Sequence, residues 1–381
     1  MNHDKTLRIL QIIDNISVDA GVSSMIMNIY RKIDRTKLQF DFLVCNKAED
    51  RGKNYESEIR QLGGKVFYFG SPLSIESCLS SVRNADKFFK ERGCVYRAVH
   101  LHTPTIAEFT LKYAKKYGIK IRIVHSHSTM LSTNRIKTII NKYLVSRIKR
   151  YATDYWACST EAAKFLYGEK FVLKHGVELI WNCVEPEKYL YDEKVRNSMR
   201  EKYGIKNKYV ITHISNFTVI KNHFFLIDVI KKVVKKNKNV MFCFIGDGDM
   251  RYEFENRLRE EGVISYCVFI GRTTSIPEYL SCSDLVILPS IKEGLPVTIV
   301  EAQANGVKCI LSDSITRECD VSDCIFLPLD VDTWASSIIK NSFDKKSDRK
   351  KRSEIFRNSK FNIARQIVNI ENIYFKVCGY E

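Results

Sequence analysis

Two glutamates, Glu293 and Glu301, stand with seven residues between them in KEGLPVTIVEAQANG, residues 292–306. Just upstream, Leu285–Leu288 is a short apolar run closed by Pro289, the pattern of a buried parallel strand. Pro296 suits the first turn of a helix, where a missing N–H costs nothing. Asn305-Gly306 suits its end, because glycine readily takes the left-handed conformation of a C-cap. Glu293 then lies in a strand-to-helix loop and Glu301 near the middle of the helix. Backbone N–H groups around Gly294, Leu295 and Val297 point out of the helix start, which makes a ready anion site. A carboxylate beside such a site is poorly suited to the anion and well suited to hydroxyls on the group attached to it. Two carboxylates flanking one phosphate site suit a diphosphate with hydroxyls at both ends, as in a sugar nucleotide. Taken alone, the pair is more simply an exposed loop glutamate and a solvated helix glutamate, so its neighbours must decide.

Three other clusters could carry chemistry. His100 with His102, and His125 with His127, each put two histidines on one face of a strand end. Four clustered histidines suit zinc or iron, but no nearby Cys, Asp or Glu completes a set, and no metal site is assigned. Asp247-Gly248-Asp249 has the D-x-D form of some divalent-metal sites; following a buried strand and preceding an amphipathic helix, it reads as turn geometry. Residues 135–150, RIKTIINKYLVSRIKR, hold six basic residues and no acidic one. Ile136, Ile139, Ile140, Tyr143, Leu144 and Ile148 recur there at helical spacing. Such a stripe ordinarily packs on its own domain, while the unbalanced charge of Lys142, Arg147, Lys149 and Arg150 points to an anionic membrane surface.

The elements needed to hold these residues are legible. Strand-like runs at 7–13, 38–45, 65–70, 97–102, 121–127 and 154–159 alternate with helical patterns such as 23–33. The rhythm restarts with strands at 209–215, 239–246, 267–271, 285–288 and 307–311, and helices at 224–236, 250–262 and 276–283. Alternation of this kind predicts parallel sheets covered by helices, and two series predict two Rossmann-like domains. The break falls in the polar stretch 182–204. Ligands of open α/β sheets bind at the carboxyl ends of strands. Gly21, His102, His127, Asn216 through Lys221, Gly246 and Glu293 all follow strands.

Composition sets the outer bounds. The 381 residues, 45% hydrophobic, suit two or three soluble domains with ample core. No uncharged apolar run reaches 18 residues, and the opening MNHDKTLRILQIID is too short and too charged for a secretory segment, so a cytoplasmic protein is expected. Twelve scattered cysteines without a CxxC pair fit a reducing compartment and argue against a disulfide framework or a zinc site. A net charge of +17 favours anionic partners. Nucleic acid is not the expected one: zinc-finger spacing, an RNP-like aromatic strand and a helix-turn-helix are all missing from the sequence.

These motifs, in this order, resemble the retaining GT-B glycosyltransferases of family 4, in wording closest to those of capsular and exopolysaccharide assembly. EGLPVTIVE, preceded by LPS and followed by AQANG, resembles their E-x7-E signature. DNISVDAGVSSMIMNIY (14–30) resembles the glycine-rich first loop, IRIVHSHS (121–128) the strand of the active-site histidine, and WACSTEAAKFL (156–166) the end-of-domain segment. IWNCVEPEKY (180–189) resembles the hinge. HISNFTVIKNH (213–223), FIGDGDMR (244–251) and FIGRTTSIPEYLSCSDLVILPS (269–290) resemble the nucleotide half. The resemblance implies a nucleoside-diphosphate sugar as donor, UDP-linked in most members, and no cofactor or metal. It implies that Glu301 binds the ribose hydroxyls and Glu293 the transferred sugar. Gly294 and Leu295 offer N–H groups to phosphate or sugar oxygens, Lys221 neutralises the diphosphate, and His127 hydrogen-bonds the sugar, with His125 as the alternative register. Gly21, Asn216 and Gly246 fall in the donor-binding loops. The family's phosphate loop usually reads G-R-F. Here it is Ser215-Asn216-Phe217, which removes a fixed positive charge that Arg272 is placed to replace. Ala20 and Cys183 stand where glycines are usual.

The expectation is therefore a GT-B fold with two facing Rossmann-like domains: an acceptor-binding domain over 1–185, a donor-binding domain over 186–361, and a terminal helix over 362–381 packing back on the first. The expected activity is metal-independent, retaining transfer of a hexose to a glycan or lipid-linked saccharide acceptor in cell-surface polysaccharide assembly. It would take place in the cytoplasm or at the inner membrane face. The alternatives are a nucleotide-sugar epimerase of the same fold and a binding protein that has lost turnover.

Overall fold

The structure, a computed structural model, describes residues 6–18, 20–45, 54–70, 75–129, 135–343 and 348–379, without the side chains of 75–79 and 135–137. The side chain of Ile136 thus lies outside the described residues, as do residues 344–347 within FDKKSDRKKRSE (343–354), a segment whose composition marks it as a charged surface run. The chain divides into two compact units, Met1–Trp181 with Ile363–Glu381, and Asn182–Asn362.

In the first unit, among the described residues, seven strands form one parallel sheet: β1 (Leu7–Ile13), β2 (Leu38–Val44), β3 (Val66–Tyr68), β4 (Ala98–Leu101), β5 (Ile121–Ser126), β6 (Asp154–Ala157) and β7 (Glu178–Leu179). Their order is β3-β2-β1-β4-β5-β6-β7. LQFDFLV in β2 is buried along its whole length, as a sheet covered on both faces requires. Its one charge, Asp41, accepts from Arg8 at 2.6 Å, from Tyr96 Oη at 3.1 Å and from the Lys65 N–H at 2.7 Å. The terminal helix Ile363–Val377 belongs to this unit and buries Ile363, Ile370, Ile373 and Tyr374. The Tyr374 ring lies 5.5 Å from Phe40 and 4.9 Å from Trp156.

The second unit holds a six-stranded parallel sheet: β8 (Tyr209–Ile214), β9 (Val240–Ile245), β10 (Cys267–Gly271), β11 (Leu285–Leu288), β12 (Lys308–Ser312) and β13 (Ile325–Leu327), in the order β10-β9-β8-β11-β12-β13. Trp334, Phe242, Phe244 and Phe254 fill its core. Arg196 and Arg200 fix the loop ahead of β11 by gripping Asp284, which also accepts from the Val210 N–H at 2.8 Å. In each sheet the order in which strands are added reverses at the first strand, at β1 between β2 and β4 and at β8 between β9 and β11. Such switch points open ligand crevices at the strands' carboxyl ends.

Two local expectations need correction. Pro296 is the N-cap, extended at φ −71° and ψ 111°, and the helix begins one residue later, Val297–Asn305. The basic stretch 135–150 is not one helix. It is a helix Arg135–Ser146 followed by a 3-10 turn Ile148–Arg150. Two strands, β7 and β13, escaped the sequence reading because two or three residues show no periodicity.

Candidate functional site

In the second unit, the segment after β8 and the loop after β11 meet across the switch point. Residues 215–217 lie directly against 246–248: Ser215 N–H donates to Ile245 O at 2.9 Å and Phe217 N–H to Asp247 O at 3.0 Å. At Gly246, φ is +128° and a Cβ would stand 2.0 Å from the Ser215 carbonyl oxygen; at Gly248 it would stand 2.6 Å from that of Phe217. Only glycine permits that approach. Asp247 accepts from the Gly248 N–H at 2.9 Å, with Arg251 at 3.9 Å. The Gly-Asp-Gly is thus engaged as a turn that braces the phosphate-type loop, and Asn216 is left exposed at its tip.

A 3-10 turn, Val219–Lys221, and the left-handed Asn222 (φ +57°) then aim Lys221. This turn is tied to the loop after β11: Ile291 N–H donates to Ile220 O at 2.8 Å and Asn222 Nδ2 to Pro289 O at 3.2 Å. Lys221 Nζ thereby reaches Glu293 Oε1 at 2.5 Å, with 24% and 14% of the two side chains exposed. Gly294, Leu295 and Pro296 are buried, and Asn182 Nδ2 holds the Leu295 carbonyl at 2.7 Å. The N-cap Pro296 makes no side-chain hydrogen bond to the start of the helix Val297–Asn305. Its end is set by Gly306 at φ +79°. Arg272 is exposed directly after β10.

Glu301 is partly buried on the same helix and accepts from Tyr189 Oη at 2.8 Å. Burial raises its carboxyl to about 7, against the smaller opposing effect of the Tyr189 hydroxyl. Asn305 Nδ2 holds the Tyr189 carbonyl at 2.8 Å, so the partner is fixed from the helix that carries Glu301. Tyr189 was missed in the sequence. A tyrosine 112 positions away carries no spacing signal, although it lies in the hinge-like segment 180–189. Also missed was the buried His213. Its Nδ1–H donates to Ile287 O at 2.9 Å, which leaves Nε2 to accept from Ser215 Oγ at 2.9 Å and fixes that loop hydroxyl.

In the first unit, Gly21 opens the helix Gly21–Lys32 and is exposed. The histidines at the ends of β4 and β5 form a single cluster. His100, His102 and His125 are 2%, 6% and 0% exposed and His127 is half-buried, so of His125 and His127 it is His127 that solvent reaches. Burial, above all, holds the pKa of each of the first three well below the ordinary histidine range and lowers His127 to about 3, so the rings are neutral. Nitrogens of His100, His102 and His125 lie within 4.8 Å of one another, as a metal would need. Most of them are already engaged, His100 Nε2 with His125 Nδ1 at 3.2 Å, His100 Nδ1 with Tyr374 Oη at 2.7 Å, and His102 with Gln11 and His127, each at 2.8 Å, and of these nitrogens His125 Nε2 alone is left without a partner among the described residues. The rings also stack, His125 on His127 at 4.0 Å, rather than converging on a point.

The basic stretch exposes Ile139, Ile140 and Tyr143 at 69%, 53% and 60% and buries Ile148 at 1%, so its apolar stripe is not all core. Lys142, Lys149 and Arg150 are exposed. Arg147 is engaged, with Glu108 at 2.9 Å and the Tyr143 hydroxyl at 2.7 Å. No helix of the described residues is long and apolar enough to cross a membrane.

The sheet orders and loop geometry can be set beside known proteins. A family model described as glycosyl transferases group 1 matches residues 195–322. EpsF of Bacillus subtilis (strain 168), a glycosyltransferase by name, is 32% identical over 341 residues, 87% of this chain and 86% of that protein. The UDP-Gal:alpha-D-GlcNAc-diphosphoundecaprenol alpha-1,3-galactosyltransferase of Escherichia coli is 24% identical over 319 residues, 79% of this chain and 80% of that one. Among solved structures, Anabaena Alr3699/HepE in complex with UDP and glucose shares the fold, with a TM-score of 0.78 at 16% identity over 96% of this chain and 98% of that chain. None of the three is named as an epimerase. One-third identity across most of both chains, the family match over the segments that carry Lys221, Glu293 and Glu301, and the common GT-B fold lead to one assignment: the chain belongs to the group 1 glycosyl transferases.

Proposed function

We propose that this glycosyltransferase moves a hexose, with retention and without a metal, from a UDP-sugar to a lipid-diphosphate-linked saccharide during surface-polysaccharide assembly. The observation that carries the donor reading is the Lys221–Glu293 contact at the switch point, beside a helix start whose N-cap makes no side-chain hydrogen bond. In this reading Glu301 accepts from the ribose hydroxyls, and the N–H groups of Gly294 and Leu295 face phosphate or sugar oxygens. Lys221 takes the diphosphate and, as the bond to the sugar breaks, the leaving charge; a preorganised cation placed where charge develops is a large catalytic term. Glu293, released by that exchange, accepts from a hydroxyl of the transferred sugar. His127 contributes from the first unit, Asn216, Gly246 and Gly21 line the donor loops, and Arg272 supplies the charge that Asn216 lacks. The acceptor hydroxyl attacks from the leaving-group side, and the departing phosphate helps to take its proton.

The acceptor docks on the first unit. Ile139, Ile140 and Tyr143, flanked by Lys142, Lys149 and Arg150, suit an anionic membrane face, where a lipid-linked acceptor would be met from the cytoplasm. A soluble acceptor would need no such patch. The donor reading is tested by thermal shift and by UDP release with UDP-, GDP- and ADP-sugars. A ligand at about 100 times its Kd stabilises by roughly 2.7 kcal/mol. Stabilisation by UDP-sugars that is abolished in Glu301→Ala supports the site. UDP release that needs an added acceptor separates transfer from binding without turnover.

A further inference from the structure

The buried polar groups of the first unit form one unbranched chain: His127, His102, Gln11, Tyr374, His100, His125. We infer that its hydrogen bonds all point one way, and that Gln11 and Tyr374, through His102, hold His127 as an acceptor at Nδ1, which makes the sugar subsite select a hydroxyl over a carboxylate. The inference rests on the reading that His127 meets the transferred sugar.

The direction follows from bond lengths and from what each group can donate. Tyr374 Oη lies 2.7 Å from His100 Nδ1 but 3.2 Å from Gln11 Nε2. An O–H donor makes shorter bonds than an N–H donor, so the tyrosine donates to His100 and receives from the amide N–H. With its N–H engaged there, Gln11 presents Oε1 to His102 Nε2 at 2.8 Å, and His102 must carry its proton on Nε2. A neutral imidazole donates from one nitrogen and accepts at the other. His102 Nδ1 therefore accepts from His127 Nε2–H at 2.8 Å, and His127 Nδ1 is left as a lone pair. In the other branch, His100 donates from Nε2 to His125 Nδ1 at 3.2 Å. His125 then carries Nε2–H, which is buried and has no partner among the described residues, the open end of the chain. Turning the Gln11 amide over would reverse every proton and make His127 a donor at Nδ1.

A lone pair at that position accepts from a sugar hydroxyl and repels a carboxylate. Pairing with a uronate would require a proton on His127 and a positive charge beside buried neutral rings. Neutral hexoses and their N-acetyl forms are thus the fitting donors, and glucuronate is not. Gln11 and Tyr374 touch no substrate in this scheme; they are positioning residues.

Long-range 15N–1H correlation on histidine-labelled protein reads the tautomers directly. The expected result is Nε2–H at all four histidines in the wild type. In Gln11→Leu, His102 and His127 should become mixed, although His127 does not touch Gln11. In UDP release with acceptor, Gln11→Leu should lose tenfold or more in kcat with KM for the UDP-sugar within about twofold. UDP-glucuronate should be turned over at least a hundredfold more slowly than the best neutral UDP-sugar. His125→Phe, at the open end, controls for packing and should leave both the His127 tautomer and kcat within about twofold. Nδ1–H at His127 in the wild type, or an unchanged His127 signal in Gln11→Leu, overturns the inference. So does an equal loss of kcat in His125→Phe. If the tautomers are as expected and no UDP-sugar is turned over, the proton chain stands and the proposed function falls.

Discussion

Donor binding should release a proton below neutral pH, because burial keeps Glu301 largely protonated there and ribose hydroxyls call for the carboxylate. Burial raises its carboxyl to about 7. A pKa near 7 leaves roughly a tenth of the molecules ionised at pH 6 and roughly nine-tenths at pH 8. If the hydroxyls bind the carboxylate, which accepts about twice as strongly as a neutral group, affinity for a UDP-sugar should rise roughly tenfold over that interval. About one proton should leave per binding event at pH 6 and few at pH 8. Titration calorimetry in two buffers of different ionisation enthalpy measures that proton count. A UDP-sugar is preferred to UDP, whose terminal phosphate titrates in the same range. Glu301→Gln should bind more weakly and show no such pH dependence. Tyr189→Phe removes the hydroxyl that favours the carboxylate and should move the midpoint upward. Stability follows the same group with a definite sign. The folded pKa lies above the ordinary value, so the folded protein keeps a proton that the unfolded chain gives up. Stability conferred at low pH should therefore decline as pH rises from about 4.5 through about 7, by up to about 3 kcal/mol, and Glu301→Gln should flatten that decline. An affinity flat in pH for the wild type, with a proton count near zero at pH 6, would refute the placement of Glu301 against the ribose.

The other expectations are simpler to check. Lys221→Ala should lower kcat/KM by roughly 100- to 1,000-fold, the usual loss when one preorganised electrostatic contact is removed. Glu293→Ala should lower kcat while largely sparing UDP affinity, since it meets the sugar and not the nucleotide. Activity should survive EDTA; complete loss restored by manganese would return Asp247 and Asp249 to a metal role. Gly246→Ala should destabilise the second unit by about 2–3 kcal/mol in chemical denaturation, as its methyl collides with the Ser215 carbonyl. The protein should sediment with anionic vesicles at low salt and leave them at high salt. Changing Lys142, Lys149 and Arg150 to Gln should abolish this, each exposed charge being worth about 1 kcal/mol at the surface. Equal partitioning to neutral vesicles would point to a soluble acceptor.

The sequence was informative where a signal is local and periodic. β11 buries a continuous apolar run, β1 and β8 are mostly apolar and buried almost throughout, and Gly306 ends its helix because one residue there must be left-handed, so their limits could be read within a residue or two. It was silent where the determinant is a contact across the fold. Tyr189 reaches Glu301 over 112 positions and Tyr374 reaches His100 over 274, and no spacing rule links such pairs. The histidines show the intermediate case. Alternation placed each pair on one face of a strand, but only the neighbouring parallel strands β4 and β5, with Gln11 on β1 in register with His100, turn two pairs into a chain. Composition alone also left the basic stretch ambiguous. Its fate depends on which apolar residues face inward, and Ile148 does whereas Ile139 and Ile140 do not.

The Lys221–Glu293 pair bears on why a carboxylate stands beside an anion site at all. In the free protein the lysine already has a counter-charge within 2.5 Å, and both side chains are mostly shielded from solvent. Removing one partner of a shielded pair leaves the other uncompensated, which is more costly than the pair was favourable. An anion without hydroxyls, such as sulfate, can take Lys221 only by leaving Glu293 in that condition. A nucleoside-diphosphate sugar supplies both halves of the exchange, phosphate oxygens to Lys221 and a sugar hydroxyl to Glu293. The carboxylate therefore works against simple anions and for the full donor, so specificity comes from a penalty as much as from an attraction. Glu293→Gln should narrow that difference. Sulfate should inhibit the variant more strongly than the wild type, while the UDP-sugar gains nothing comparable. If sulfate inhibits both alike, the ion pair is incidental to selection and Glu293 acts only after the donor is bound.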